Sequence, residues 1–158
     1  MATQIDVRTF TNTYLEMLEE TFEKVYGMYL DGGTSLFETL ATINAQMASH
    51  PISPDCASIA AQVEHITFYL EHIEDILRGH TQENIDWQEI WRTVKEVTPD
   101  EWALSKTRLQ ETYHRVRVLV KGMENWESED ECYGVLAIMV HTAYHLGEIR
   151  HALCILRQ

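Results

Sequence analysis

The sequence predicts an all-α protein, an antiparallel four-helix bundle with a short extra helix and a long crossover between helices two and three. Three observations predict it. Apolar residues recur at spacings of three and four over long segments, the period of a helix with one buried face. No stretch of useful length alternates as a strand does. The three prolines, Pro51, Pro54 and Pro99, stand with glycine-containing turns at the joints between segments.

The first helix is expected from about Asp6 to Leu30. Val7, Phe10, Tyr14, Leu18, Phe22, Val25 and Tyr29 form its stripe, and Asp31-Gly32-Gly33 stops it. A short helix follows from Ser35 to about Ala48 and breaks at His50-Pro51. The second long helix starts near Asp55, read as its N-cap, and ends near Arg78-Gly79. His80 to Thr98 is polar and irregular, anchored by Trp87, Ile90 and Trp91. Thr98-Pro99-Asp100-Glu101 opens the third long helix, with Thr98 as cap, Pro99 in the first turn and Glu101 completing a capping box. That helix runs to Lys121-Gly122. The fourth covers Glu131 to Leu156, with acidic residues at its positive end. Four long helices with one extended crossover make a bundle, and 158 residues fit a single domain, 1–158.

Composition excludes several classes of function. The formal net charge is -13, and phosphate backbones and anionic membranes both require a basic surface. No nucleic-acid or membrane partner is therefore expected. The first residues lack the basic start and apolar run of an export signal, and Cys56, Cys132 and Cys154 form no CxxC. The expected setting is the cytoplasm, with reduced thiols. Cys154, in an apolar helical run, is expected in the core.

The stretch HTAYHLGEIRH holds three histidines in eleven residues. In a helix, residues four apart differ by about 40° and about 6 Å of rise. His141 and His145 therefore share a face, the spacing by which helical HxxxH motifs hold a metal. The glutamate base of the H-E-x-x-H metalloproteases is absent. The same face carries Gly134, Ala137, Ile138, Ile149, Ala152 and Leu156, so the imidazoles point inward and need partners. A metal ion and hydrogen bonds from neighbouring helices both meet that need. On the second long helix His65 lies on the face of Ser58, Ala61, Gln62, Tyr69, Ile73 and Ile76, and also points inward. His72 shares that face about 10.5 Å further along, too far for one ion to take both. His50, His80 and His114 are expected in solvent, and His151 on the flank of its helix.

At these residues the chain resembles the DinB/YfiT-like superfamily of bacterial four-helix bundles. SIAAQVEHITFYLEHI followed by MVHTAYHLGEIRHAL matches the family's pattern, with Glu148 standing where the family usually has glutamine. The resemblance extends over nearly the whole chain and includes the Asp86-Trp87 segment. It implies a three-histidine metal site of His65, His141 and His145, with no contact to DNA despite the family's damage-inducible label.

Three imidazoles suit zinc, nickel or iron(II), and the ligand set does not choose among them. They leave open positions for water or substrate. The resemblance implies an enzyme that uses a low-molecular-weight thiol, activated on the metal, against a small electrophilic substrate, as a transferase or isomerase. A metal-dependent hydrolase and a non-catalytic metal-binding protein of the bacterial stress response are the alternatives. Tyr69, one turn after His65, is a candidate acid or hydrogen-bond donor. Glu148 is a candidate carboxylate behind the ligands or a substrate contact, and also suits an ion pair with a nearby base. No cysteine is expected near the histidines. Protons compete with metal for imidazole, so affinity should fall below about pH 6.

The fourth helix is apolar on nearly every side. Val135, Met139, Leu146 and Leu153 make a second stripe, and Leu136, Val140, Ala143, Gly147 and Cys154 a third. A helix of that kind must be covered all round. A twofold homodimer through the fourth helix is expected, unless the segments around 35–48 and 87–91 cover the third stripe.

Overall fold

The computed structural model describes residues 5–80, 85–126 and 128–158. Every regular element among them is helical: α1 (Val7–Phe22), α2 (Leu36–Leu40), α3 (Ala45–Ser49), α4 (Ile59–Leu77), α5 (Glu89–Thr93), α6 (Pro99–Lys121) and α7 (Glu129–Leu156). The one short helix expected between the first two long ones is a pair, α2 and α3. The crossover carries α5.

Helix starts follow cap chemistry. Thr98 and Glu101 form the expected capping box at α6, and Ser35 with Glu38 forms another at α2. At α7, Ser128 caps and Glu131 bonds back to it, so the helix begins at Glu129, two residues before the expected start. Asp55 does not cap α4. That cap is Ser58, whose hydroxyl accepts the Ala61 N–H at 3.1 Å. Both residues satisfy the N-cap preference, and the apolar face resumes only at Ile59.

Contacts set the helix directions. α4 packs on α6 and α7, and α1 packs on the same two. Gln62 meets His145 and Gly134 meets Ile73, so α4 and α7 are antiparallel. Glu19 pairs with Arg117 and Glu23 with Tyr113, so α1 and α6 are antiparallel too. The expected antiparallel arrangement fails for the other two pairs. Glu64 bonds Ser105, Glu71 bonds Arg108 and Glu74 bonds Arg115, so α4 and α6 run parallel. Thr11 meets Trp126 and Tyr14 meets Val135, which makes α1 and α7 parallel. A parallel α4 and α6 require the chain between them to return the length of a helix. Its described part climbs along α4, with Trp87 beside Phe68 and His72, then Trp91 beside His65.

α1 ends at Phe22, eight residues short of the expected Leu30, although the apolar period continues to Tyr29. A buried carboxylate stops it. Glu20 is 1% exposed, and its Oε1 accepts the backbone N–H groups of Gly27, Met28, Tyr29 and Leu30 at 3.0–3.2 Å. Gly27, at φ 86°, makes the turn that aims them. Continuing the helix would leave the buried charge without donors, which costs more than a turn of helix returns. Burial raises the Glu20 pKa, but the four N–H groups outweigh it and hold the carboxyl below its usual range.

α7 is divided as expected into unlike faces. Val135, Leu146 and Leu153 are buried and Met139 is half-buried. The third stripe is not covered within the chain: Leu136, Val140, Gly147 and Cys154 are exposed and Ala143 is half-buried. Cys154 is therefore a surface thiol and not a core residue. Among the described residues no helix is long and apolar enough to cross a membrane.

Replacing Glu20 with glutamine should cost about 2 kcal/mol, since charge-assisted acceptance of several N–H groups is lost. A urea titration at pH 7 measures it. The sign of the pKa shift adds a pH test. The stability from ionised Glu20 is present above the unfolded carboxyl pKa and drains as pH falls through the lower folded one. The gap between wild type and Glu20→Gln should therefore close in acid. A constant gap would mean the amide lost packing and not charge.

Candidate metal centre

α4 and α7 bring His65, His141 and His145 together. One ring nitrogen from each lies within 4.8 Å of the other two. Ring centroids are 5.0 Å apart for His65–His141, 5.0 Å for His65–His145 and 4.6 Å for His141–His145. The antiparallel packing of α4 on α7 creates this meeting, because one histidine opposes a pair one turn apart. His65 is 7% exposed and His145 5%, while His141 is half-buried.

The remaining histidines sit elsewhere. His50, His80, His114 and His151 are exposed. His72 packs its ring edge against Trp87 at 5.0 Å and takes no part in the cluster.

The donors fit a metal ion. The His65 Nδ1 and the His141 Nε2 are buried and have no hydrogen-bond partner among the described residues, an arrangement that costs on the order of 1–3 kcal/mol per group unless a partner arrives. His145 is oriented from behind. Its Nδ1 faces the Glu148 carboxylate at 3.0 Å and the Gln62 amide oxygen at 3.3 Å. Both are acceptors, so Nδ1 carries the proton and Nε2 keeps its lone pair. This carboxylate–histidine arrangement is the usual support behind a metal ligand. Glu148 pairs with His145 and, on its other oxygen, accepts the Tyr144 hydroxyl at 2.9 Å. Ion bonds near 2.1 Å would place tetrahedral nitrogens roughly 3.4 Å apart. The nitrogens, within 4.8 Å of one another, would draw closer around an ion.

Burial keeps the imidazoles neutral, which is the ligating form. Desolvation first, then His145 and His65, push His141 down to about 4. Desolvation and His65 push His145 down to about 4. His65 is lowered by burial, opposed by the charge of Glu148. Proton competition in the folded site is set by these values, so its window moves from the expected region of pH 6 toward pH 4.

Aromatic rings close the site. Tyr69 stacks on His141 at 3.9 Å and 18°. Trp91 lies 4.4 Å from His65 and 6.1 Å from His145. Trp91 thus does more than anchor the crossover, since it packs on the histidines, while Trp87 packs behind them on Tyr69 and His72. Spacing could not reveal this, because both tryptophans lie in an irregular segment. A cavity of about 390 Å³ leads to His145 between Gln62, Trp91, Glu148 and Cys56. Cys56 therefore lines the approach to the site, against the expectation that no cysteine is near. Tyr144 was likewise not foreseen, although it directly precedes His145.

Comparison with protein-family models, curated proteins and solved structures finds no match.

The depressed values make a direct prediction. In metal-free protein the ring resonances of His141 and His145 should hold their neutral positions from pH 7.5 down to 5.5. Between the unfolded histidine pKa of 6.5 and about 4, the unfolded chain binds protons that these folded rings refuse. Their contribution to stability is therefore present above pH 6.5 and lost as pH falls toward 4. Rings that titrate near 6.5 in the NMR experiment would show that they are solvated.

Proposed function

We propose that this protein is a metal-dependent enzyme of the DinB-like kind, with His65, His141 and His145 as ligands of one zinc, nickel or iron(II) ion, acting with a low-molecular-weight thiol on a small electrophile. The observation that carries the metal reading is the convergence of three neutral imidazoles, two buried and one half-buried, two of them with ring nitrogens that meet no partner among the described residues. The all-helical fold and the HTAYHLGEIR stretch support the family reading.

An ion held by three neutral imidazoles keeps an open position and acidifies a thiol or water bound there. The chain's own residues supply the rest. Glu148 holds the His145 ring by its Nδ1 proton and fixes which nitrogen faces the centre. Gln62 accepts at the same proton and limits rotation of the ring. Trp91 excludes water from the His65 side, and the stacked Tyr69 holds the plane of His141. In the transfer, sulfur bonds to carbon as the leaving group departs with its electron pair, and the thiol proton goes to solvent. The cavity beside His145 favours the enzyme over a metal store, since storage needs no approach for a second molecule.

Protein purified without an affinity tag should carry close to one transition-metal ion per chain by elemental analysis. His141→Ala and His145→Ala should abolish tight binding. Glu148→Gln keeps an acceptor at His145 but removes the charge, and should weaken binding about tenfold or more. Unchanged stoichiometry in the alanine variants would sink the ligand assignment. Loaded protein should then accelerate displacement of chloride from chlorodinitrobenzene by small thiols. Metal binding with no activity on thiol transfer would leave hydrolysis of activated esters as the next assay, and failure of both would identify a metal-binding protein without catalysis.

A further inference from the structure

The histidine cluster opens on two sides, and the openings differ in chemistry. The cavity on the His145 side has two acidic side chains, Asp55 and Glu148, in a wall otherwise largely apolar, with Ile52, Trp91 and Ala152. On the His141 side lies a second cavity of about 520 Å³, walled by Tyr69, Tyr133, Leu136, Val140, His141 and Tyr144. No side chain lining it is an acid, a lysine or an arginine, in a chain where such residues are 23% of the total. Tyr144 belongs to both cavities and is tied to Glu148, so this one pair is the partition between them.

We propose that the His141-side cavity binds a small uncharged apolar or aromatic molecule and presents it to the metal centre, separately from the polar co-substrate on the His145 side. This rests on the metal reading above. Val140 is 65% exposed and Tyr133 77% exposed, apolar surface that water disfavours and that a ligand would cover. The volume falls within the range of small-molecule sites. His141 lines the cavity, and its buried Nε2 has no partner among the described residues. An apolar wall that runs to a ligating group suits a molecule that brings a reacting atom there. A second copy of the chain gains nothing from that histidine. A charged substrate would find no counter-ion in this cavity and would lose hydration on entry. The division explains how one centre keeps a polar nucleophile and an apolar acceptor from competing for a single pocket.

The test uses the full chain loaded with cobalt(II), with zinc-loaded protein as the diamagnetic reference, and a series of straight-chain alcohols from butanol to octanol. Affinity should rise about fourfold with each methylene, and cobalt should broaden the NMR lines of the bound alcohol nearest the hydroxyl or chain end that faces it. Val140→Glu, on an exposed position, should weaken octanol about tenfold or more while cobalt stoichiometry is unchanged. Leu104→Glu, on the exposed face of α6, should change neither. Should Val140→Glu fail to fold by circular dichroism, Tyr133→Ser gives the same comparison. If no cobalt binds to wild type, the metal reading itself fails. If cobalt binds but the alcohol lines stay sharp, or affinity ignores chain length, the cavity proposal alone is overturned. If alcohols bind only after Val140→Glu converts a dimer to monomers by light scattering, the face belongs to a second copy and the proposal is overturned too.

Discussion

The organisation of this protein depends on placing three imidazoles in the seam between α4 and α7. Burying one polar ring without a partner costs more than a typical hydrogen bond returns, and here three share one seam. The surrounding structure answers that constraint in layers. Glu148 and Gln62 bind the outer nitrogen of His145, Tyr69 stacks on His141, and Trp91 covers His65. Two ring nitrogens, the His65 Nδ1 and the His141 Nε2, meet no hydrogen-bond partner among the described residues. An apolar seam of Leu and Ile would be cheaper to fold, so the cost is explained only by what the cluster can hold.

The route of the chain follows from the same place. With α4 and α6 parallel, the intervening segment must travel the length of the helices, and it does so over the histidine face of α4. An antiparallel α6 could have followed a short turn and left His65 open to solvent. The long crossover is thus what brings Trp91 over His65 and Trp87 onto the neighbouring Tyr69 and His72. Its end at α6 is pinned by hydrogen bonds: Ser49 exchanges bonds with Val97, and the Trp102 indole donates to the Ile43 carbonyl.

Local rules were legible in the sequence wherever one residue type had one way to be satisfied. Thr98-Pro99-Asp100-Glu101 marks a helix start unambiguously, and HxxxH places two rings on one face without knowledge of the fold. Axial rise showed that one ion could not take both His65 and His72, and the family resemblance singled out His65. Legibility failed where a distant partner decided. The apolar period of α1 runs on past Phe22, but Glu20 needs four donors from residues beyond it, and no local pattern carries that requirement. Asp55 and Ser58 are equally good caps in isolation, and only the packing of Ile59 selects between them. Helix direction was illegible for the same reason: the length of a crossover does not say where it ends.

The acidic balance of the chain bears on how the site would work. A net charge of -13 raises the local concentration of divalent cations around the molecule, and Glu148 adds a charge directly behind His145. Entry of an ion is therefore favoured before any bond to imidazole forms. The same field opposes an anionic co-substrate approaching past Asp55 and Glu148, so small neutral or amine-bearing molecules should reach His145 more readily than polyanions. On the opposite side, the walls at Tyr133, Leu136 and Val140 carry no charge to oppose or attract, and selection there falls to shape and apolar area. A single cluster of neutral histidines thus stands between a cavity with acidic side chains in its wall and one whose lining carries no acid, lysine or arginine. It can do so because α7 presents a different chemistry on each side of one helical turn.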